Sequence, residues 1–252
     1  MKNRNMNLWL LAAFLVAAAH TVSAESTWLE TLLAGYERIE SVTCDVRRDM
    51  SNEDGSIRWL SRVHYQRLDR LHVENFSPLP RGIIADGETM YQHNDGHPRG
   101  FRRSIAELDQ TMVYNLRRVP GTVMEHLFRL RDAEEIVLPA TDEFPIRHGY
   151  PAGDVFVVLE ADEKGRLTRV LFYADQDQTE RTGDITCSHF EEVLEGVWIP
   201  MRHRIHVTAG GMTSRETVRF SNYEVNIEIP ARLFDPSLFW DDVRWVDTFD
   251  RL

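Results

Sequence analysis

Lysine is almost missing from this sequence: Lys2 and Lys164 are the only two, and arginine supplies the other fixed cations. Acids still outnumber bases by 40 to 29, giving a formal charge of −11. A chain of that sign is a poor match for nucleic acid, whose phosphates need neutralising. Cysteine is nearly absent too. Cys44 and Cys187 are the whole supply, so there is no thiol-redox motif and no closed cysteine–histidine zinc set. There is no His-Glu-x-x-His, no Gly-x-Ser-x-Gly elbow and no phosphate-binding glycine loop. Of the 10 histidines, His93 and His97 flank a hairpin turn, whereas His203 and His206 lie three apart on a strand and point to opposite faces. The carboxylate pairs Glu134-Glu135 and Glu191-Glu192 read as exposed charge. These absences argue against a catalytic set, a metal site or a cofactor, and leave a hydrolase as a third reading only.

A membrane anchor is also not expected. The apolar run Leu8 to Ala19 has twelve residues, and a helix needs roughly 20 to cross a bilayer. Lys2 and Arg4 precede that run and Val22-Ser23-Ala24 follows it, the pattern of a secretory leader cut between Ala24 and Glu25. Residues 1–24 are therefore expected to be a cleaved signal peptide and the mature chain to be periplasmic. No cysteine follows the cut, so N-terminal lipidation is not expected. Residues 25–240 suit one domain with a real core. Residues 241–252, acidic and aromatic, read as a loosely held tail. In an oxidising compartment Cys44 and Cys187 can bridge. Both sit in strand-like apolar runs, which suits two buried free thiols equally well.

What is present is a run of hairpins broken by short helices. Thr27-Trp-Leu-Glu30 is a capping-box pattern, and Trp28, Leu29, Leu32, Leu33, Tyr36 and Ile39 follow on one face, predicting a helix over 25–40. From Ser41 the period changes to two. Val42, Cys44 and Val46 alternate with polar residues, then Ile57, Trp59, Val63 and Tyr65 do the same after a turn at Asp54-Gly55. Asp86-Gly87 and Asp95-Gly96 mark tight turns, because these residues tolerate positive φ. Ser104-Ile-Ala-Glu107 and Thr122-Val-Met-Glu125 repeat the capping-box pattern and predict two further helices. The second has apolar residues on two faces, suiting a buried helix or one that covers something greasy. Strands resume at Val155–Glu160, Leu167–Ala174, Ile185–Val193, Trp198–Thr208 and Thr213–Val225. The expectation is an α+β fold: a curled antiparallel, half-open β-barrel of about ten strands with a helical lid, enclosing an apolar space.

At Tyr65 to His93 the sequence YQRLDRLHVENFSP…GIIADGETMYQHND resembles the outer-membrane lipoprotein carrier proteins, the LolA-like family. Tyr65-Gln66-Arg67 matches the aromatic-x-Lys/Gln-Arg-Pro strand end, with Leu68 in place of the proline. Asp86-Gly87 matches the family's hairpin, and Tyr91 and His93 stand at its Trp-x-Tyr positions. The resemblance implies a lid that closes over acyl chains, and an arginine, here Arg67, that latches the lid through its carbonyls. Arg67 also shares the parity of Val63 and Tyr65, which aims it at the concave face. Methionine and aromatics suit an adaptable cavity. Met50, Met90, Met112 and Met124 are candidate lining residues, with Trp59, Val63, Tyr65, Val73, Tyr91, Leu116 and Phe128; each suits an ordinary core as well. The function implied is a periplasmic carrier of lipoprotein or lipid acyl chains, loaded by an inner-membrane donor complex and unloaded at an outer-membrane acceptor. The alternative is a sensor of the same fold that recognises lipid or a membrane-protein partner.

Overall fold

The computed structural model describes residues 27–209 and 212–248, so the expected leader lies outside the described residues. Helix α1 (Trp28–Glu37) starts as its sequence dictates. The Thr27 hydroxyl accepts from the Glu30 amide at 3.2 Å, and the Glu30 carboxylate accepts from the Thr27 amide at 2.9 Å. Leu29, Leu33 and Tyr36 form its buried face.

Six strands then run as an antiparallel meander: β1 (Ser41–Asn52), β2 (Gly55–Gln66), β3 (Arg70–Ser77), β4 (Arg81–Asp86), β5 (Thr89–Asn94) and β6 (Arg99–Ser104). The Asp86-Gly87 turn forms as expected. Gly87 takes φ +109, and the Asp86 carboxylate accepts from the amides of Glu88 and Thr89, both at 2.8 Å. Two short helices interrupt, α2 (Gln110–Arg117) and α3 (Met124–Leu127). Their capping differs from the sequence pattern. A 3₁₀ turn occupies Ile105–Glu107, so Asp109 rather than Ser104 caps α2, accepting from the Met112 amide at 2.9 Å. The Thr122 hydroxyl donates to the Val119 carbonyl at 2.7 Å, and Glu125 turns to Arg118 instead of closing a box.

The chain returns as β7 (Ile136–Val137), β8 (Ile146–Ala152), β9 (Val155–Ala161), β10 (Leu167–Tyr173), β11 (Arg181–Leu194), β12 (Val197–Ala209) and β13 (Met212–Val225), and ends in β14 (Arg244–Val246). All fourteen strands of the described residues form one sheet in the order β14-β6-β5-β4-β3-β2-β1-β13-β12-β11-β10-β9-β8-β7. Among the described residues only the β14–β6 pair is parallel. The sheet is not closed, and the expectation of about ten strands is corrected to fourteen. The strands left out have physical reasons for their silence. β7 and β14 have two and three residues, too short for a periodic signal. β6 and β8 carry glycines that weaken a strand pattern but admit an aromatic ring. A Cβ at Gly100 would fall 2.5 Å from Trp245 Cζ3, and one at Gly149 would fall 2.4 Å from Phe156 Cζ.

The sheet is strongly curved. Met90 and Gln92 on β5 and Ile185 on β11 line the same hollow, although seven strand steps separate these strands. Laid flat they would stand about 34 Å apart. On the concave side α1 and α3 pack against β8–β12, and that half holds the main core, with Leu33, Leu127, Leu159 and Ile199 fully buried. The β2–β5 half borders the hollow on its inside, beside a small cluster of Ala85, Ile105, Leu108 and Leu116 under α2, and is covered on its outside. There the C-terminal segment crosses the sheet: Phe239 meets His72 edge-on at 4.7 Å, and Trp245 meets Tyr91 at 5.2 Å. Through Val246 the expected loose tail is thus docked in the fold.

The cysteines are both buried and free. The possible Cys44–Cys187 disulfide is not formed. Strands β13 and β12 lie between their strands, which puts β1 and β11 about 14 Å apart along the sheet, beyond the ~7 Å Cα limit for a bridge.

Candidate functional site

The hollow has a volume of about 650 Å³ and opens between the curved sheet and the segment from α2 to α3. Strand parity builds its walls. On β1, Val46, Arg48 and Met50 face inward; on β3, Leu71 and Val73; on β4, Arg81 and Ile83; on β5, Met90 and Gln92. Ile185, Ile205, Val218 and Phe220 form the far wall, and Met112, Asn115 and Leu116 of α2 the roof.

Of the residues expected to line a cavity, Met50, Trp59, Val63, Val73, Met90, Met112 and Leu116 do so. Four lie elsewhere. Tyr65 is buried in the main core, where its hydroxyl donates to the Arg117 carbonyl at 3.2 Å and ties down the end of α2. Met124 is also in that core, because α3 turns Met124 and Leu127 inward. Phe128 packs beside Tyr114 at 5.8 Å, under the Arg131 guanidinium. Tyr91 faces the outside, since Met90 and Gln92 take the inward places on either side of it; His93 follows it outward, onto Trp240 at 5.8 Å. His93 Nε2 bonds the His97 carbonyl at 2.7 Å, so these two imidazoles do not converge.

Sequence reasoning missed the polar residues of the wall. Arg48 grips Glu216 with two hydrogen bonds of 2.5 and 3.0 Å, and Arg118 pairs with Glu125. The greasy side of α3 faces the core, and it is Glu125 and His126 that look into the hollow. His203 bonds the Gly121 carbonyl through Nε2 at 3.0 Å; burial pushes its pKa down to about 4 and also lowers that of His126. A signal did exist for Arg48 and Glu216. Arg48 continues the even parity of Val42, Cys44 and Val46, and Glu216 shares that of Val218 and Phe220.

Arg67 stands at the C-terminal end of α1, outside the hollow. Its Nε donates to the Ile39 carbonyl at 3.1 Å, its Nη2 lies 3.4 Å from the Tyr36 carbonyl, and the Glu40 carboxylate is 3.3 Å away. A cation there suits the exposed carbonyls of a helix end. The next residue explains the departure from the family motif. Leu68 has φ +66, which proline cannot adopt, so this hairpin uses a different turn.

No protein-family model and no curated protein matches the chain. Solved structures do. A LolA superfamily protein from Nitrosomonas europaea superposes with a TM-score of 0.51 at 14% identity, over 82% of this chain and 96% of the other. A putative outer membrane lipoprotein-sorting protein domain from Vibrio parahaemolyticus gives 0.56 at 11% identity, over 83% and 97%. The fold is LolA-like. A DUF1329 family protein from Desulfovibrio piger shares it, with a TM-score of 0.53 at 10% identity over 83% of this chain and 99% of the other. At such identities the likeness concerns the backbone, and the hollow of this chain has to be judged on its own side chains. Its wall is mixed: a broad apolar surface with two ion pairs set into it, their carboxylates largely buried and their arginines partly exposed.

Proposed function

We propose that this protein is an exported periplasmic module that binds acyl chains of lipids or lipoproteins in the hollow and carries them towards the outer membrane. The observation that supports this most is a space of about 650 Å³ that the protein's own side chains leave unfilled beneath α2. That volume falls in the range of about 300–1,000 Å³ of small-molecule sites. An acyl chain in water costs roughly 0.8 kcal/mol per methylene, so a soluble carrier must offer comparable burial. The apolar walls on β3, β4 and β12 offer it, and the open mouth permits release. The leader-like residues 1–24 supply the export route. A donor complex in the inner membrane and an acceptor in the outer membrane complete the path. Arg67 acts as the latch by fixing the end of α1, and so the angle at which the helical segment sits on the sheet.

The test is lipid extraction and mass spectrometry on full-length protein expressed with its leader in a Gram-negative host and purified from the periplasm without detergent. About one acyl ligand per chain is expected. In the Arg67→Leu protein, slower transfer to acceptor vesicles is expected with the circular dichroism unchanged. A ligand-free preparation that also fails to take up added acyl lipid would end the carrier reading. A co-purifying membrane-protein domain in place of lipid would favour the sensor.

A further inference from the structure

Five charged side chains line the hollow: Arg48, Arg81, Arg118, Glu125 and Glu216. Four of them pair off, Arg48 with Glu216 and Arg118 with Glu125. Arg81 has no such partner among the described residues, and its Nε is buried without a hydrogen bond. Its guanidinium carbon lies 5.8 Å from the centre of the Trp59 ring, which gives it a π-face and no countercharge. Burial lowers the pKa of both lining histidines and so disfavours their cationic forms. One uncompensated positive charge therefore faces the hollow of a chain whose net charge is −11. A half-buried cation without a partner is unfavourable, and an anion from outside relieves it.

The surroundings are set up for that anion. Arg81 pairs directly with Asn75 across β4 and β3, and Asn75 with Ser61 across β3 and β2. All three face the hollow. The Ser61 hydroxyl donates to Asn75 Oδ1, which leaves the Asn75 NH₂ group to donate beside the guanidinium. A guanidinium fork and an adjacent amide match two or three oxygens of a carboxylate or phosphate. Ile83 is next but one to Arg81 on the same strand face, and Val73 stands in the same relation to Asn75, so an apolar wall begins where the polar row ends.

We propose that the hollow selects amphiphiles with an anionic head, a carboxylate or a phosphate, held by Arg81 and Asn75 with the acyl chain laid along Val73, Ile83 and Met90. This rests on the acyl-binding reading above and adds a head-group preference to it.

The test titrates delipidated full-length protein with three ligands carrying the same C18 chain: oleate, oleoyl lysophosphatidic acid and oleyl alcohol. Each is read by displacement of a fluorescent acyl probe at pH 8. At least one anion is expected to bind about tenfold or more tighter than the alcohol, the size of one charge-assisted contact. Whichever anion binds tighter identifies the head as carboxylate or phosphate. In Arg81→Gln the anion-to-alcohol ratio should fall close to one, and Arg81→Lys should recover part of it. Circular dichroism checks that each variant is folded. Equal affinities in the wild type, or a ratio that Arg81→Gln leaves untouched, overturn the head-group assignment while leaving acyl binding standing. If none of the three ligands binds, both readings fail.

Discussion

The two halves of this sheet solve the same problem in opposite ways. Against β8–β10 and the adjoining parts of β11 and β12 the inner face is filled, where α1 and α3 press Leu33 and Leu127 onto Leu159 and Ile199; only Ile185, His203 and Ile205 of these strands reach the hollow. Against β2–β5 much of the inner face looks into the hollow, α2 covers only a small cluster around Ala85 and Leu116, and most of the bracing has moved to the outside. Phe239, Trp240 and Trp245 lie on the back of β3–β6, and β14 extends the sheet there. A sheet needs one packed face to hold its curvature and register. The difference between the halves shows that the packed face need not be the concave one. A concave surface can stay empty and apolar if the opposite surface supplies the contacts, and that is the condition a releasable ligand requires.

The comparison breaks most sharply in the filled half. Leu127 is completely buried among α1, α3 and the strands. Leu127→Ala should lower stability by about 2–5 kcal/mol, the cost of lost burial plus an unfilled cavity. Urea unfolding read by far-UV circular dichroism measures it. A loss below about 1 kcal/mol would mean that this half, too, is loosely packed.

Gly82→Ala tests the outer brace. A Cβ at Gly82 would fall 2.4 Å from Trp240 Cζ2, so the indole has to shift or lift. Overpacking of this kind typically costs about 1–3 kcal/mol. The expected signature is a lower melting temperature together with faster proteolysis within residues 236–248. If the melting temperature drops and the C-terminal segment stays protected, Trp240 has adapted in place and the brace does not depend on that contact.

How much of this was legible in the sequence follows from the range over which each feature is decided. Thr27 and Glu30 cap α1 because the two partners are three residues apart, and Asp86-Gly87 turns because its own backbone allows it. Alternation carried Trp59 and Val63 to the hollow, since strand parity is local; Met50, Val73 and Met90 were named by residue type, and parity puts them there as well. Tyr91 was read inward by its motif position, although its neighbour Met90 claims that face by parity; two faces cannot both be right for adjacent residues. Arg48 and Glu216 had the inward parity, and their charge hid it, because each pairs with a residue on a strand adjacent in the sheet but distant in the sequence. The outer brace was illegible for the same reason. Nothing near Gly82 or Gly100 in the sequence says that Trp240 and Trp245 will fill the space a side chain would take.

The smallest expected effect is the most specific to the hollow. Ile83 faces the cavity from β4, half-buried, and belongs to none of the packed clusters. Ile83→Ala should cost only about 1 kcal/mol in the ligand-free protein, much of it strand propensity, because few protein atoms rest on the methyl groups it removes. With an acyl ligand bound, those methyls are ligand contacts. Ligand binding to the native state adds stability in proportion to its affinity, so the same substitution should cost more in the loaded protein than in the empty one. In Leu127→Ala the loss should be the same in both states. Paired urea titrations with and without oleate decide it: a loss at Ile83 that does not grow on loading would place the ligand somewhere other than against β4.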